Sequence, residues 1–209
     1  MPNELSKGEL TRREIVKKAA PIFNRKGYEG TSLSDLMQAT GLQKGGIYRH
    51  FTSKQQLAGE AFDYTWEKAF TGRLAGVNDV PNSVQRLKKM IDNFVEKREG
   101  LVPGGCPLMN TAVESDEGNA HLRARAQKAL ESWTAGLLKI AAEGIARREI
   151  NARIKPLDLA QLIIGSLEGA LLLSRLQNSN VPLRNIQLHL HHHLDNSVRS
   201  DLGRVRSSP

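Results

Sequence analysis

Residues 31–57 read TSLSDLMQATGLQKGGIYRHFTSKQQL, and this stretch decides the fold of the N-terminal part of the chain. Ser32 precedes an apolar stripe of Leu33, Leu36 and Met37, with Asp35 three residues on. That is the spacing of a capping box, in which each side chain satisfies a backbone N–H at the helix start. Gly41 then ends the helix, because glycine adopts without steric cost the left-handed conformation that reverses the chain within a few residues. A second helix begins after Leu42. Its Ile47 and Phe51 share the face that packs inward, which leaves Gln43, Lys44, Arg49 and His50 outside. Gly45 and Gly46 keep the helix start bare enough to approach a base edge or a phosphate. Two short helices about a glycine turn, the second with a basic outer face, make the outline of a helix-turn-helix.

The block belongs to a longer pattern. Ile15, Ala19, Ile22 and Phe23 face inward on an opening helix, followed by Gly27-Tyr28, Thr31, Ala39 and Gly41. Then come Gly46-Ile47-Tyr48-Arg49-His50-Phe51, Ser53-Lys54 and Leu57. In this register the stretch from Ile15 to Leu57 resembles the N-terminal domain of TetR-family transcriptional regulators. The resemblance implies base or groove contacts from Gln43, Lys44, Gly45, Gly46 and Arg49. It implies phosphate contacts from Thr31, Ser32, Tyr48, His50 and Lys54. Met37 departs from the pattern, standing where the family usually has a small residue. On spacing alone Tyr48 and Phe51 both suit a core; Phe51 is assigned there, and Tyr48 to a phosphate through its hydroxyl. His50 equally suits a half-buried structural histidine, and Lys44 and Arg49 suit solvated surface charge.

Composition agrees with a polyanionic partner. The 209 residues carry a net charge of +8. Ten basic residues against five acidic ones over positions 1–58 put +5 of it in about a quarter of the chain. The single cysteine excludes an intramolecular disulfide and a cysteine-rich zinc site, as suits a reducing compartment. The first ten residues are polar and mixed in charge, unlike a secretory signal, and no uninterrupted apolar run reaches the roughly 18 residues of a membrane span. A cytoplasmic protein is expected.

Beyond Leu57 the periodicity stays helical. A helix capped by Ser53 carries Phe62, Trp66, Ala69 and Phe70 and closes between Gly72 and Pro81. Another starts near Ser83, buries Leu87, Met90, Ile91, Phe94 and Val95, and stops at Gly100. Two glycines and two prolines make residues 101–107 a loop. A short apolar helix follows, then a long one over about 119–148 with Leu122, Ala126, Trp133, Leu137 and Ile140 on its stripe. No segment alternates like a strand. The chain therefore reads as all-α, with a three-helix DNA-binding domain over 1–53, a helical ligand-binding and dimerisation domain over 54–203, and a disordered tail over 204–209.

Residues 157–176 are apolar almost all round, and Leu183, Ile186, Leu190, Leu194, Val198 and Leu202 stripe a last helix over 183–202. Gly165 and Gly169, one turn apart, permit a close helix crossing. Such a pair either completes one subunit's core or, doubled, makes the four-helix interface through which the resembling family dimerises. The need of a helix-turn-helix for two half-sites favours the homodimer. The resembling family's organisation, with the Gly/Pro loop, places a small-molecule inducer among Phe62, Trp66, Phe94, Met109 and Trp133, with Asn110 as polar anchor; all five apolar residues equally suit plain core. Gly104-Gly105 and Pro107 hold Cys106 near a helix start, where the dipole stabilises a thiolate. GCPLMNTA resembles a subset of the family, some of whose members sense electrophiles through cysteine; a small buried thiol is the alternative. His189 and His193 share a helical face, yet no carboxylate or cysteine completes a metal site, so neither metal nor cofactor is expected. There is no nucleotide loop, zinc motif or serine elbow, which argues against an enzyme. The expected function is a dimeric, sequence-specific repressor released from a palindromic operator by a small apolar or electrophilic inducer. A non-sequence-specific architectural DNA binder is the alternative, and it leaves the large apolar C-terminal part unexplained.

Overall fold

The computed structural model describes residues 6–97, 102–115 and 118–200. Helix α1 (Lys7–Lys26) opens with Ser6 and Glu9 in a capping box, and Pro21 lies inside it. Helix α2 (Leu33–Thr40) repeats the device with Ser32 and Asp35, then ends on Gly41 at φ 75°. Helix α3 (Lys44–Tyr48) has five residues, and Gln43 before it makes no side-chain cap. The expected Ile47/Phe51 face is therefore only half helical. Phe51 lies three residues past the end of α3 and is nonetheless buried with Ile47.

Helix α4 (Lys54–Leu74) starts behind Ser53, whose hydroxyl accepts the Gln56 N–H at 3.1 Å. Helix α5 (Ser83–Glu96) is capped by Asn82. Helix α6 (Pro107–Glu114) has proline in its first turn, where the missing N–H costs nothing. In α7 (Ala120–Ala146) the Asn119 side chain accepts the Leu122 N–H at 3.1 Å. Helices α8 (Pro156–Leu176) and α9 (Val181–His193) both begin with proline in the first turn. The last helix departs from expectation: at His193 it gives way to a π-helical turn over Leu194–Val198, and Leu202 lies outside the described residues. So do Gly100, the expected stop of α5, and the tail over 204–209. Among the described residues there is no strand, only one isolated bridge between Ile150 and Arg199.

The chain forms two compact units, Met1–Ala69 with Glu99–Ala129, and Phe70–Arg98 with Leu130–Pro209. This grouping differs from the expected division at residue 53, since α4 as far as Ala69, α6 and the start of α7 join the helix-turn-helix. In the first unit Ile15, Ala19, Phe23, Leu36, Ile47, Phe51, Leu57, Val102 and Leu122 share one core, against which Leu33 and Met37 are half-buried. In the second, Leu87, Ile91, Ile163, Leu167, Leu183 and Leu194 are buried. Arg86 pairs with Glu143 at 2.8 Å and Lys88 with Asp195 at 2.5 Å around them. Helix α8 is not covered all round: Leu162, Gly165, Gly169, Leu172, Leu173 and Leu176 lie exposed on it.

Asp35 carries the start of α2. Its carboxylate receives the Lys26 ammonium at 2.6 Å and the Ser32 N–H at 2.9 Å, which holds its pKa down from 3.8 to about 2. A carboxyl whose folded pKa is depressed contributes stability above its unfolded value and loses it as pH falls through the folded one. The cap therefore holds in full above pH 3.8 and fails as pH approaches about 2. Side-chain carbon NMR should give an Asp35 titration midpoint near 2, moving back toward 3.8 in Lys26→Ala. An equal midpoint in both proteins contradicts the assigned cause.

Candidate nucleic-acid interface

The turn at Gly41 and the burial of Ile47 aim one side of α3 at solvent. Gln43, Lys44, Gly45, Tyr48 and Arg49 are exposed there. The two glycines differ. A β-carbon on Gly45 would meet open space, whereas one on Gly46 would stand 3.3 Å from the β-carbon of Leu42, so Gly46 also serves the packing of the turn. His50 is half-buried; its backbone carbonyl, not its ring, carries the main contact, accepting from the Arg12 guanidinium. Lys54 is half-buried, with its ammonium 4.4 Å from the centre of the Tyr28 ring. Ser32 is exposed, and its hydroxyl donates to Asp35 and accepts the Asp35 N–H. Thr31 requires a correction. It is fully buried at 0% exposure and donates its hydroxyl to the Gly27 carbonyl at 2.5 Å, so it closes the turn between α1 and α2 and cannot reach a phosphate.

Residues 15–61 match the family described as bacterial regulatory proteins, tetR family, and residues 83–190 the tetracyclin repressor-like C-terminal domain. The chain belongs to the TetR family of transcriptional regulators. A TetR regulator from Chloroflexus aurantiacus J-10-FL is similar in structure, with a TM-score of 0.89 and 41% identity over 94% of this chain and 100% of that one. A second, from Cytophaga hutchinsonii, has a TM-score of 0.87 and 34% identity over 92% and 97%. In sequence, the HTH-type transcriptional repressor DhaR of Mycobacterium sp. (strain GP1) is 27% identical over 82% of this chain and 86% of its own. As a TetR-family protein this is a DNA-binding regulator, in a class that is not enzymatic.

The residues expected around an inducer in this TetR-family chain fall into both units. Phe62, Trp66, Cys106, Met109 and Asn110 belong to the first, Phe94 and Trp133 to the second. The rings of Phe94 and Trp133 stack with centroids 5.7 Å apart. Arg73 lies over both, 4.9 Å from the Phe94 centroid and 3.9 Å from that of Trp133, with Glu168 at 3.7 Å as its counter-ion. A cation on aromatic faces is favourable, the more so when buried. These two rings thus form a packed cluster with the chain's own guanidinium. Asn110 is likewise engaged: its amide nitrogen donates to the carbonyls of Asn24 at 2.9 Å and Gly104 at 2.8 Å. Phe62 lines a narrow cleft of about 20 Å³, open to solvent, with Phe23, Tyr28, Pro107, Thr111 and Leu122. Cys106 is buried at the N-cap of α6.

Three residues absent from the sequence-based candidates organise this unit. Asn24 donates its side-chain amide to the carbonyls of Pro103 and Gly105, each at 3.2 Å, so the Gly/Pro loop is tied to the end of α1. Glu114, at the far end of α6, accepts the N–H groups of Tyr28 at 2.8 Å and Glu29 at 2.9 Å. Arg12 binds His50 and Glu60. Their partners stand far away in sequence, and only the Gly27-Tyr28 step of the family pattern pointed at one of these sites. Gly27 has φ 74° and ψ 177°, a region open essentially to glycine alone, and a β-carbon there would come within 2.5 Å of the Glu114 carboxylate. Gly27→Ala should therefore lower stability by about 1–3 kcal/mol from backbone strain alone. Chemical denaturation checks it, and an unchanged midpoint contradicts the role given to this glycine.

Proposed function

We propose that the chain is a homodimeric, sequence-specific repressor whose two α3 helices enter successive major grooves of a palindromic operator, and which a small apolar or electrophilic inducer releases. The observation that carries the reading is the exposed edge of α3. Lys44 and Arg49 project from a helix whose opposite face is anchored by Ile47, with no side chain at Gly45 to keep a base edge away. Arginine and lysine suit guanine edges in the major groove, and Gln43 suits adenine. Ser32, Tyr48, His50 and Lys54 stand beside that edge as phosphate contacts, which set register without reading sequence.

Dimerisation is supported by the uncovered face of α8. Leu162, Leu172, Leu173 and Leu176 are between 45% and 76% exposed, and Val181 and Leu188 of α9 are 58% and 67% exposed. Contiguous apolar surface of this kind marks a binding face. On length and composition α8 would also suffice to cross a membrane, with 44% of its apolar window buried. A DNA-bound regulator working in the cytoplasm gives those leucines a second subunit to meet, and Gly165 and Gly169 let its backbone approach. The inducer acts from α6 and its surroundings. Its candidate contacts are Phe62, Trp66, Phe94, Cys106, Met109, Asn110 and Trp133. A ligand lowers DNA affinity only by binding the DNA-incompetent arrangement more tightly than the competent one.

Duplexes enriched by the protein from a random pool supply the operator for the test. Lys44→Ala and Arg49→Ala should each weaken that duplex by about 1–3 kcal/mol in mobility-shift titrations. Lys54→Ala should weaken all duplexes alike and flatten the salt dependence. If neither Lys44→Ala nor Arg49→Ala changes affinity, α3 is not the reader; equal affinity for enriched and random duplexes marks an architectural binder instead. For the inducer, Cys106→Ser should bind the operator as wild type does yet no longer be released by a maleimide or quinone. Equal release of both proteins removes cysteine sensing, because no other thiol is present in the chain.

A further inference from the structure

Arg12 holds three partners at once. Its Nη1 donates to the backbone carbonyl of His50, two residues past the end of α3. Its Nε and Nη2 donate to the two carboxylate oxygens of Glu60 on α4, the former at 3.1 Å. Its Cζ lies 4.3 Å from the centre of the Phe51 ring. One side chain of α1 thereby ties the exit of α3 to α4, using the fork, the plane and the charge of arginine together, which lysine does not supply.

Helix α3 needs such a hold. With five residues and no side-chain cap on Gln43, it cannot set its own direction, and Ile47 and Phe51 fix it only by apolar contact, which is non-directional. A cation at the chain's exit from a helix also meets the negative end of the helix dipole. The pair is about one third exposed, 32% for Arg12 and 31% for Glu60, and an ion pair so placed adds little to stability. Its geometry is nevertheless specific.

We propose that Arg12, held by Glu60, is a positioning residue for operator recognition: it sets the angle at which α3 presents Lys44 and Arg49 to the bases, and Glu60 makes that angle depend on α4. The proposal rests on α3 being the reader. Arg12 itself touches no DNA. Its loss should therefore harm base reading, which demands geometry within fractions of an ångström, and spare the phosphate attraction that holds any duplex.

The test compares the duplex enriched by wild-type protein with a random duplex of equal length, across a salt series. Arg12→Ala should weaken the enriched duplex by about ten- to a hundredfold, the range of a lost base contact. The random duplex should change by less than about threefold, with an unaltered salt slope, because no phosphate contact is removed. Glu60→Gln, which keeps an acceptor and loses the charge, should lose less selectivity. Arg12→Ala with Glu60→Gln should lose no more than Arg12→Ala alone, since Glu60 acts through Arg12. A merely destabilising role lowers the folded fraction and weakens both duplexes equally, which overturns the proposal. So does a salt slope reduced by about 0.9, the signature of a lost phosphate contact. So does unchanged selectivity in Arg12→Ala. Should Arg12→Ala not fold, Arg12→Lys, whose single ammonium cannot grip both the carboxylate and the carbonyl, gives the same ratio with the same meanings. Failure of the wild type to enrich any sequence shows up before a variant is made, and it removes the reading of α3 and this proposal with it.

Discussion

A helix of five residues, as α3 is, cannot stand by itself. Nucleating a helix fixes several dihedral angles for one hydrogen bond, so isolated helices below about 12–15 residues are marginal in water. Everything about α3 follows from this. Burying Ile47 and Phe51 contributes on the order of 1.5–3 kcal/mol each and holds the helix against α1, α2 and α4. The left-handed Gly41 sets where it starts, and the Arg12 fork holds the carbonyl where it ends. The exposed edge is rigid because the opposite side is over-determined.

The same economy appears at the corner between α1 and α2. Gly27 turns the chain in a conformation that leaves the N–H groups of Tyr28 and Glu29 pointing out of any helix, and Glu114 receives both. Asn24 and Asn110 do the converse for the Gly/Pro loop, satisfying carbonyls that no regular element can reach. These hydrogen bonds tie the loop and α6 to the helix-turn-helix. A shift of α6 would therefore act on the turn between α1 and α2, through Tyr28 and Glu29.

In the second unit, polar groups shape an otherwise apolar bundle. Arg73 lies between aromatic faces with Glu168 beside it, so a charge deep among helices is matched by a counter-ion and two ring quadrupoles. Helix α8 divides differently: Ile163, Ile164, Leu167, Ala170 and Leu171 are covered, while its leucines at 162, 172, 173 and 176 are not. One stripe is packed within the chain, and the other lies exposed.

Local rules alone settled much of this protein. Both capping boxes, the glycine stop, the helical periods and the absence of alternation depend on residues within four positions of one another, and nearly all the expected helices form close to where the pattern put them. The family pattern likewise rests on a contiguous block, so the exposed basic edge at Lys44 and Arg49 was legible. Where sequence reading went astray, a contact that spacing does not reveal intervened. Thr31 looked like a phosphate contact because its hydroxyl is polar; it is buried because the turn at Gly27 brings a carbonyl within 2.5 Å. Asn110 reads from its sequence as a polar anchor, and nothing local shows that its amide meets Asn24, 86 residues earlier in the chain. The helix after residue 183 passes at Leu194 into a π turn closed by the Arg199 N–H on the Leu194 carbonyl, with Leu194 and Val198 of the stripe still buried. Arg12, Glu60 and Glu114 carried no signal at all, because a charged residue on an exposed helix is ordinary until its partner is known. The sequence determined which segments are helices and which face of each is apolar, since those follow from spacing; the tertiary structure decided which polar groups meet, since that depends on contacts across 38 to 86 residues of chain that no local spacing encodes.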